Sequence, residues 1–169
     1  FIDQADTVAV SNSLFGGNTA IQGVADSAIG GGFYGQNLNT FDVHNSIFVE
    51  NTSTQNGSAL AIDTTATTYI KNNNFVSSDS SVALWLNDTA GSAINNVFYN
   101  NSVQALQTSS TVALTHNDWK KNGVDVSGAT PLTIGSEGNI DVDPEFSAYS
   151  QDGNFENDNF VLLCSSGLI

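Results

Sequence analysis

The side chains able to do chemistry in this sequence are mostly carboxylates, so their grouping matters first. Asp and Glu number 17 against three Lys, two His and no Arg. Hydrolytic acid–base work needs two carboxyl groups about 5–10 Å apart on one face. Asp42, Asp63, Asp88 and Asp118 are the mid-chain candidates. Asp63 and Asp88 stand at similar offsets after Phe48 and Phe75 and are expected to share a corner, which Asp42 and Asp118 do not join. Lys71, Lys120 and Lys121 read as solvated charges. In Asp152-Gly153-Asn154-Phe155-Glu156-Asn157-Asp158, the oxygen-bearing residues Asp152, Asn154, Glu156 and Asp158 alternate, as ligands do in calcium loops. The competing reading is an acidic, solvated connector. Asp141, Asp143 and Glu145 alternate too, but Pro144 and Phe146 beside them suggest a structural cap. Tyr34, Tyr69, Trp85 and Tyr99 are candidates to stack on sugar rings. Trp85 faces outward if Leu84 and Leu86 face inward. Tyr34, Trp85, Asp63 and Asp88 together form the expected glycan-binding set.

The elements that must position these groups announce themselves as a repeat. An apolar residue, Asn, an aromatic and Asn recur as Val10/Asn12/Phe15/Asn18, Val43/Asn45/Phe48/Asn51, Ile70/Asn72/Phe75/Ser78, Ala93/Asn95/Phe98/Asn101 and Leu114/His116/Trp119/Asn122. The aromatics lie 33, 27, 23 and 21 residues apart. Self-similarity at this period marks a solenoid whose turns rest on one another. Stacked turns place equivalent residues about 4.8 Å apart. Phe then stacks on Phe, and Asn can hydrogen-bond to Asn as a ladder while tolerating the left-handed backbone of a corner. One ladder is expected through Asn12, Asn45, Asn72 and Asn95, ending at His116. A second is expected through Asn18, Asn51, Asn101 and Asn122, with Ser78 as the exception. His44 and His116 would lie three turns apart, roughly 14 Å, too far to share a proton or a metal.

Three short strands per turn predict three parallel sheets around a narrow apolar core, in about five turns over 1–134, followed by a closing segment of the same domain over 135–169. The Gly- and Ala-rich insertion from Gly16 to Gly31 reads equally as a projecting binding loop or a slack connector. Four N-x-S/T sequons begin at Asn51, Asn56, Asn87 and Asn100. The start at Phe1, inside repeat-like sequence, reads as a mature or excised part of a longer chain.

The stretches Asn45–Asn51 and Asn95–Asn101, with Gly31-Gly32-Phe33-Tyr34, resemble the repeat of right-handed parallel β-helix proteins, the pectate-lyase-like superfamily. Asn139–Phe146, Asn159–Leu163 and Ser165–Ile169 are similar to the closing segment of many secreted bacterial and archaeal members, although Gly167 stands where that pattern usually has Pro. The resemblance implies an all-β, right-handed parallel β-helix and a secreted or cell-surface setting. Eliminating members pair a Lys or Arg base with carboxylate-held calcium, and hydrolytic members cluster Asp on one sheet. This chain offers no Arg and no evident carboxylate pair.

A formal charge of −14 argues against nucleic acid and anionic lipid as partners. No segment is apolar and long enough to cross a membrane as a helix, and the lone Cys164 excludes an internal disulfide. The expectation is an extracellular structural, adhesive or glycan-binding module. It is non-catalytic as it stands, needs no cofactor unless calcium binds, and is joined to neighbouring domains of a longer parent chain. The alternatives are a fragment of a polysaccharide lyase, hydrolase or epimerase, and a self-associating filament or spike subunit.

Overall fold

The computed structural model describes residues 1–22, 28–150, 152 and 154–168. The tip of the Gly16–Gly31 insertion, Gly153 of the acidic loop and the terminal Ile169 lie outside the described residues. The chain is a parallel β-solenoid. A five-stranded sheet stacks Leu14–Gly16, Ile47–Val49, Asn74–Val76, Val97–Tyr99 and Asp118–Lys120, so four turns separate its first strand from its last. The other sheet has nine strands and forms two faces of the coil. At two central levels these faces are continuous: Leu60–Lys71 and Val82–Ile94 are single strands. Each contains one residue at φ 48°, Thr64 and Asp88. Elsewhere each face has its own short strand, as in Phe33–Gln36 followed by Thr40–His44.

The aromatic markers are stacked in register. Phe15, Phe48, Phe75, Phe98 and Trp119 have successive ring-centroid separations of 4.8, 5.1, 4.9 and 4.3 Å and are within 8° of parallel. Each such pair adds about 0.5–1.5 kcal/mol beyond the area it buries. The leading apolar position, Val10, Val43, Ile70, Ala93 and Leu114, forms a second column. Leu84 and Leu86 point into the core, as the alternation predicts, and Trp85 between them faces out.

The first asparagine ladder runs one residue later than the spacing of Asn12, Asn45, Asn72, Asn95 and His116 predicts. Those residues occupy the left-handed corner, with φ between 49° and 57°. Their side chains stay near the surface, where Asn95 donates to Asn72 at 2.7 Å. The buried rungs are the residues that follow. Asn73, Asn96 and Asn117 each donate backbone N–H and side-chain Nδ2 to Oδ1 of the next rung, Asn139 accepting last. Each rung also donates Nδ2 back to the preceding coil, at Val43, Ile70, Ala93 and Leu114 oxygens. The physical reason is directional. A corner residue in the left-handed region turns its own side chain outward and aims the next one into the coil. The second ladder follows its expected positions. Asn18 donates to Asn51, and Asn101 to Asn122. Ser78 is too short to span a level, and its hydroxyl lacks a partner.

The glycine run is no slack connector. Gly30, Gly31 and Gly32 donate in succession to Asn56, Gly57 and Ser58 oxygens of the next coil. A Cβ on Gly31 would lie 2.3 Å from the Thr52 oxygen. The closing segment leaves the axis after Ile140 and returns along the outer side of the five-stranded sheet. Its antiparallel pair, Phe146–Ala148 with Asn159–Leu162, and the connection between them cover Val49, Val76 and Tyr99 with Phe146, Tyr149, Phe155 and Phe160. Gly16 and Gly17 leave the space that the Phe155 ring occupies. Among the described residues, no helix is long and apolar enough to cross a membrane.

The ladder geometry makes a paired prediction for equilibrium urea unfolding. Asn96→Ala strips partners from several buried groups and should cost about 3–5 kcal/mol. Asn95→Gly, at the neighbouring left-handed corner, should change stability by no more than about 0.5 kcal/mol.

Candidate functional site

Register decides which of the candidate residues meet. Tyr34, Ala61, Trp85 and Gln107 form one row on the outward side of the nine-stranded sheet, with Ala61 buried beneath Gly57. Two residues further along each strand, Gln36, Asp63 and Asn87 form a parallel row. Within these rows the Tyr34 hydroxyl donates to Gln36 at 2.5 Å, and Asn87 donates to Asp63 at 2.8 Å. Burial raises the Tyr34 phenol above its ordinary pKa, and the nearby Asp63 and Asp3 carboxylates push it further. Tyr34, Trp85 and Asp63 therefore share one half-buried face carrying two aromatic rings, a carboxylate and amides. Asp88 is the left-handed bend residue itself. With Asn37, Asn39, Thr64 and Ser110 it lines a separate groove of about 600 Å³, which does not include Asp63.

The lysines are committed to ion pairs. Lys71 lies 3.8 Å from Asp42 and over the Tyr69 ring, and His44 contacts the same Asp42 at 3.3 Å. Lys120 pairs with Asp141 at 2.9 Å and Lys121 with Asp143 at 3.1 Å, fastening the start of the tail to the last full coil. The Asp141 hydrogen bond raises the Lys120 pKa. The Tyr99 and then Asp143 hydrogen bonds raise that of Lys121. A proton-abstracting lysine requires the opposite shift. Tyr99, a candidate for sugar stacking, is buried beneath the tail instead.

In the acidic loop the oxygens turn onto the loop itself. Asp152 accepts from the Asn157 side chain and from the Asn154 N–H, and these hydrogen bonds, Asn157 foremost, lower its pKa. Asn154 caps the short 3₁₀ turn Phe155–Asn157 by accepting from Glu156 N–H. Asp158 accepts from Ser150 N–H and Oγ. Among the described residues, no three His, Cys, Asp or Glu side chains are grouped closely enough to hold a metal. Asp152 and Asn154 each accept from a backbone N–H two residues on, the usual local turn of a short side chain, while Asp158 closes the loop onto Ser150.

The least ordinary ionisable group is Asp118. It begins the last strand of the five-stranded sheet, in register with Ile47, Asn74 and Val97, positions that carry mostly apolar residues. It is 2% exposed. Its Oδ1 accepts from Val142 N–H at 2.9 Å, while Oδ2 has no hydrogen-bond partner. Burial raises its pKa to about 6, opposed by the Val142 N–H and augmented by Asp141. Asp118 lines a cleft of about 370 Å³ between this sheet and the returning tail. His116 lines the same cleft, its ring packed against Gly138, where any Cβ would lie 2.5 Å from Cδ2. Sequence spacing placed Asp118 among the candidates but gave no cleft, since the tail that builds the second wall is more than 20 residues away.

No family model, no characterised protein and no solved structure matches this chain.

The Asp118 shift fixes a pH dependence. The folded pKa, about 6, exceeds the ordinary value of 3.8. Its contribution is therefore fully present below about pH 4 and is lost as pH rises through about 6. Thermal unfolding of the native protein against Asp118→Asn should show the native chain losing about 1–2 kcal/mol relative to the variant over that window, less than the full two-unit linkage because the effective dielectric around a buried group exceeds that of dry protein. Parallel pH profiles for the two proteins would contradict the assignment.

Proposed function

We propose that this chain is a non-catalytic glycan-binding module of an extracellular or cell-surface protein, binding along the outer face of its larger sheet. The observation that carries this reading is the register of Tyr34, Ala61 and Trp85 beside Gln36, Asp63 and Asn87. A sugar ring offers an apolar C–H face and a rim of hydroxyls. Aromatic rings receive the first, while carboxylate and amide groups receive the second. Tyr34 and Trp85 stand two coils apart, about 10 Å at the β spacing, and Ala61 between them is buried beneath Gly57, so the rings are two separate contacts. Two contacts at that spacing suit an extended chain lying along the solenoid axis.

Charge narrows the ligand. With a net charge of −14 and its three lysines in ion pairs, the module favours a neutral polysaccharide over a polyuronate. The repeat's resemblance to the pectate-lyase-like superfamily belongs to this reading. Fold likeness alone assigns no activity, and the raised pKa values of Lys120 and Lys121 count against either as an eliminating base. A catalytic reading would draw on Asp63 and Asp88, which occupy adjoining positions at one bend on neighbouring coils.

Affinity electrophoresis in soluble neutral polysaccharides, with a parallel assay for new reducing or unsaturated ends, separates the two readings. Retardation without turnover is expected, and Trp85→Ala should weaken it about tenfold, the loss of one ring contact of about 1.4 kcal/mol. Turnover, or retardation indifferent to Trp85→Ala, would contradict the proposal.

A further inference from the structure

We propose that the cleft beneath the returning tail is a second ligand site, which takes a single uncharged, hydroxyl-rich ring such as a pyranose, with Asp118 as a hydrogen-bond partner. The site lies on the five-stranded sheet and does not depend on the outer face of the larger one. Its volume of about 370 Å³ falls within the range of small-molecule sites, about 300–1,000 Å³.

Three observations define the chemistry. The first is the orphan oxygen. Asp118 Oδ2 is buried without a donor, although leaving such an acceptor unpaired costs about 1–3 kcal/mol. A ligand hydroxyl supplies that donor. The second is the amide wall. Asn72 and Asn95 line the cleft and bond to each other through Asn95 Nδ2 and Asn72 Oδ1, which turns the Asn72 nitrogen and the Asn95 oxygen to other partners. One donor and one acceptor side by side match vicinal hydroxyls. The third is apolar lining: Ile140, bridged to Asp118 on the sheet side, and Leu162 and Leu168 of the tail present contacts to the C–H side of a ring.

Charge excludes the other ligand classes. No lysine lines the cleft, and all three are in ion pairs, so no free lysine awaits an anion. Burial keeps Asp118 protonated up to about pH 6, which disfavours a bound cation. Asn74 gives a means of blocking the cleft. It shares its register position with Ile47 and Val97, so the fold already accepts bulky apolar side chains there.

The test is an NMR titration of the full chain with the methyl pyranosides of glucose, galactose and mannose. Saturable shifts in the millimolar range are expected for at least one sugar, centred on the His116 ring and the amides of Asn95 and Asp118. Asp118→Ala should weaken binding about tenfold. Asn74→Trp should abolish it, with its amide spectrum reporting the intact fold, and Trp85→Ala should leave it unchanged. No saturable shift with any of the three sugars would overturn the proposal, as would shifts that persist in Asn74→Trp. If Asp118→Ala does not fold, Asn74→Trp alone decides.

Discussion

The carboxamide ladder inside the coil is the interaction on which the rest depends. A buried amide must satisfy two N–H groups and one oxygen, and here each rung does so by engaging the coil before and the coil after. A one-residue slip between coils would break every rung at once and turn the aromatic column outward. The ladder therefore fixes register, and register fixes everything displayed on the surface. Trp119 closes both columns: its ring caps the aromatic stack and its indole N–H donates to the last rung, Asn139, at 3.4 Å.

Much of this was legible in the sequence, because solenoid contacts repeat. The aromatic column, the second ladder and its failure at Ser78 all follow from spacing. For the first ladder, spacing points to the residue before each buried rung, and the reason is physical. Asn is favoured both at a left-handed corner and at a buried rung, and Asn72-Asn73 and Asn95-Asn96 supply both in succession. At the other levels the doublet is degenerate, as Asn45-Ser46 and His116-Asn117, so the corner position shows the cleaner repeat. The signal that separates them is Asn117, which follows a histidine corner and has no role if the corner itself is the rung. The expectation of three short strands per turn misses the continuous strands through Thr64 and Asp88, since a single left-handed residue bends a strand without an evident turn sequence.

The candidate site was legible only where it is repetitive. Tyr34, Trp85 and Asp63 meet because the coils stack in register, and their alternation with core residues exposes that face. The Asp118 cleft was invisible because it is not a product of repetition. It forms where a non-repeating tail crosses the sheet, guided by Lys120–Asp141 and Lys121–Asp143 and by Phe155 resting on Gly16 and Gly17. In the acidic loop the alternating oxygens form a coordination-like pattern in one dimension, and in the fold those of Asp152, Asn154 and Asp158 accept hydrogen bonds from the loop itself.

The measurement that tests the account most directly is hydrogen exchange of the asparagine side-chain amides by NMR. Exchange of buried, hydrogen-bonded protons requires opening of the structure that holds them. The Nδ2 protons of Asn73, Asn96 and Asn117 should exchange only on global unfolding, and those of the corner residues Asn45 and Asn72 at nearly the free rate. Comparable rates at the two positions, or protection at the corners alone, would contradict a solenoid held in register by this ladder.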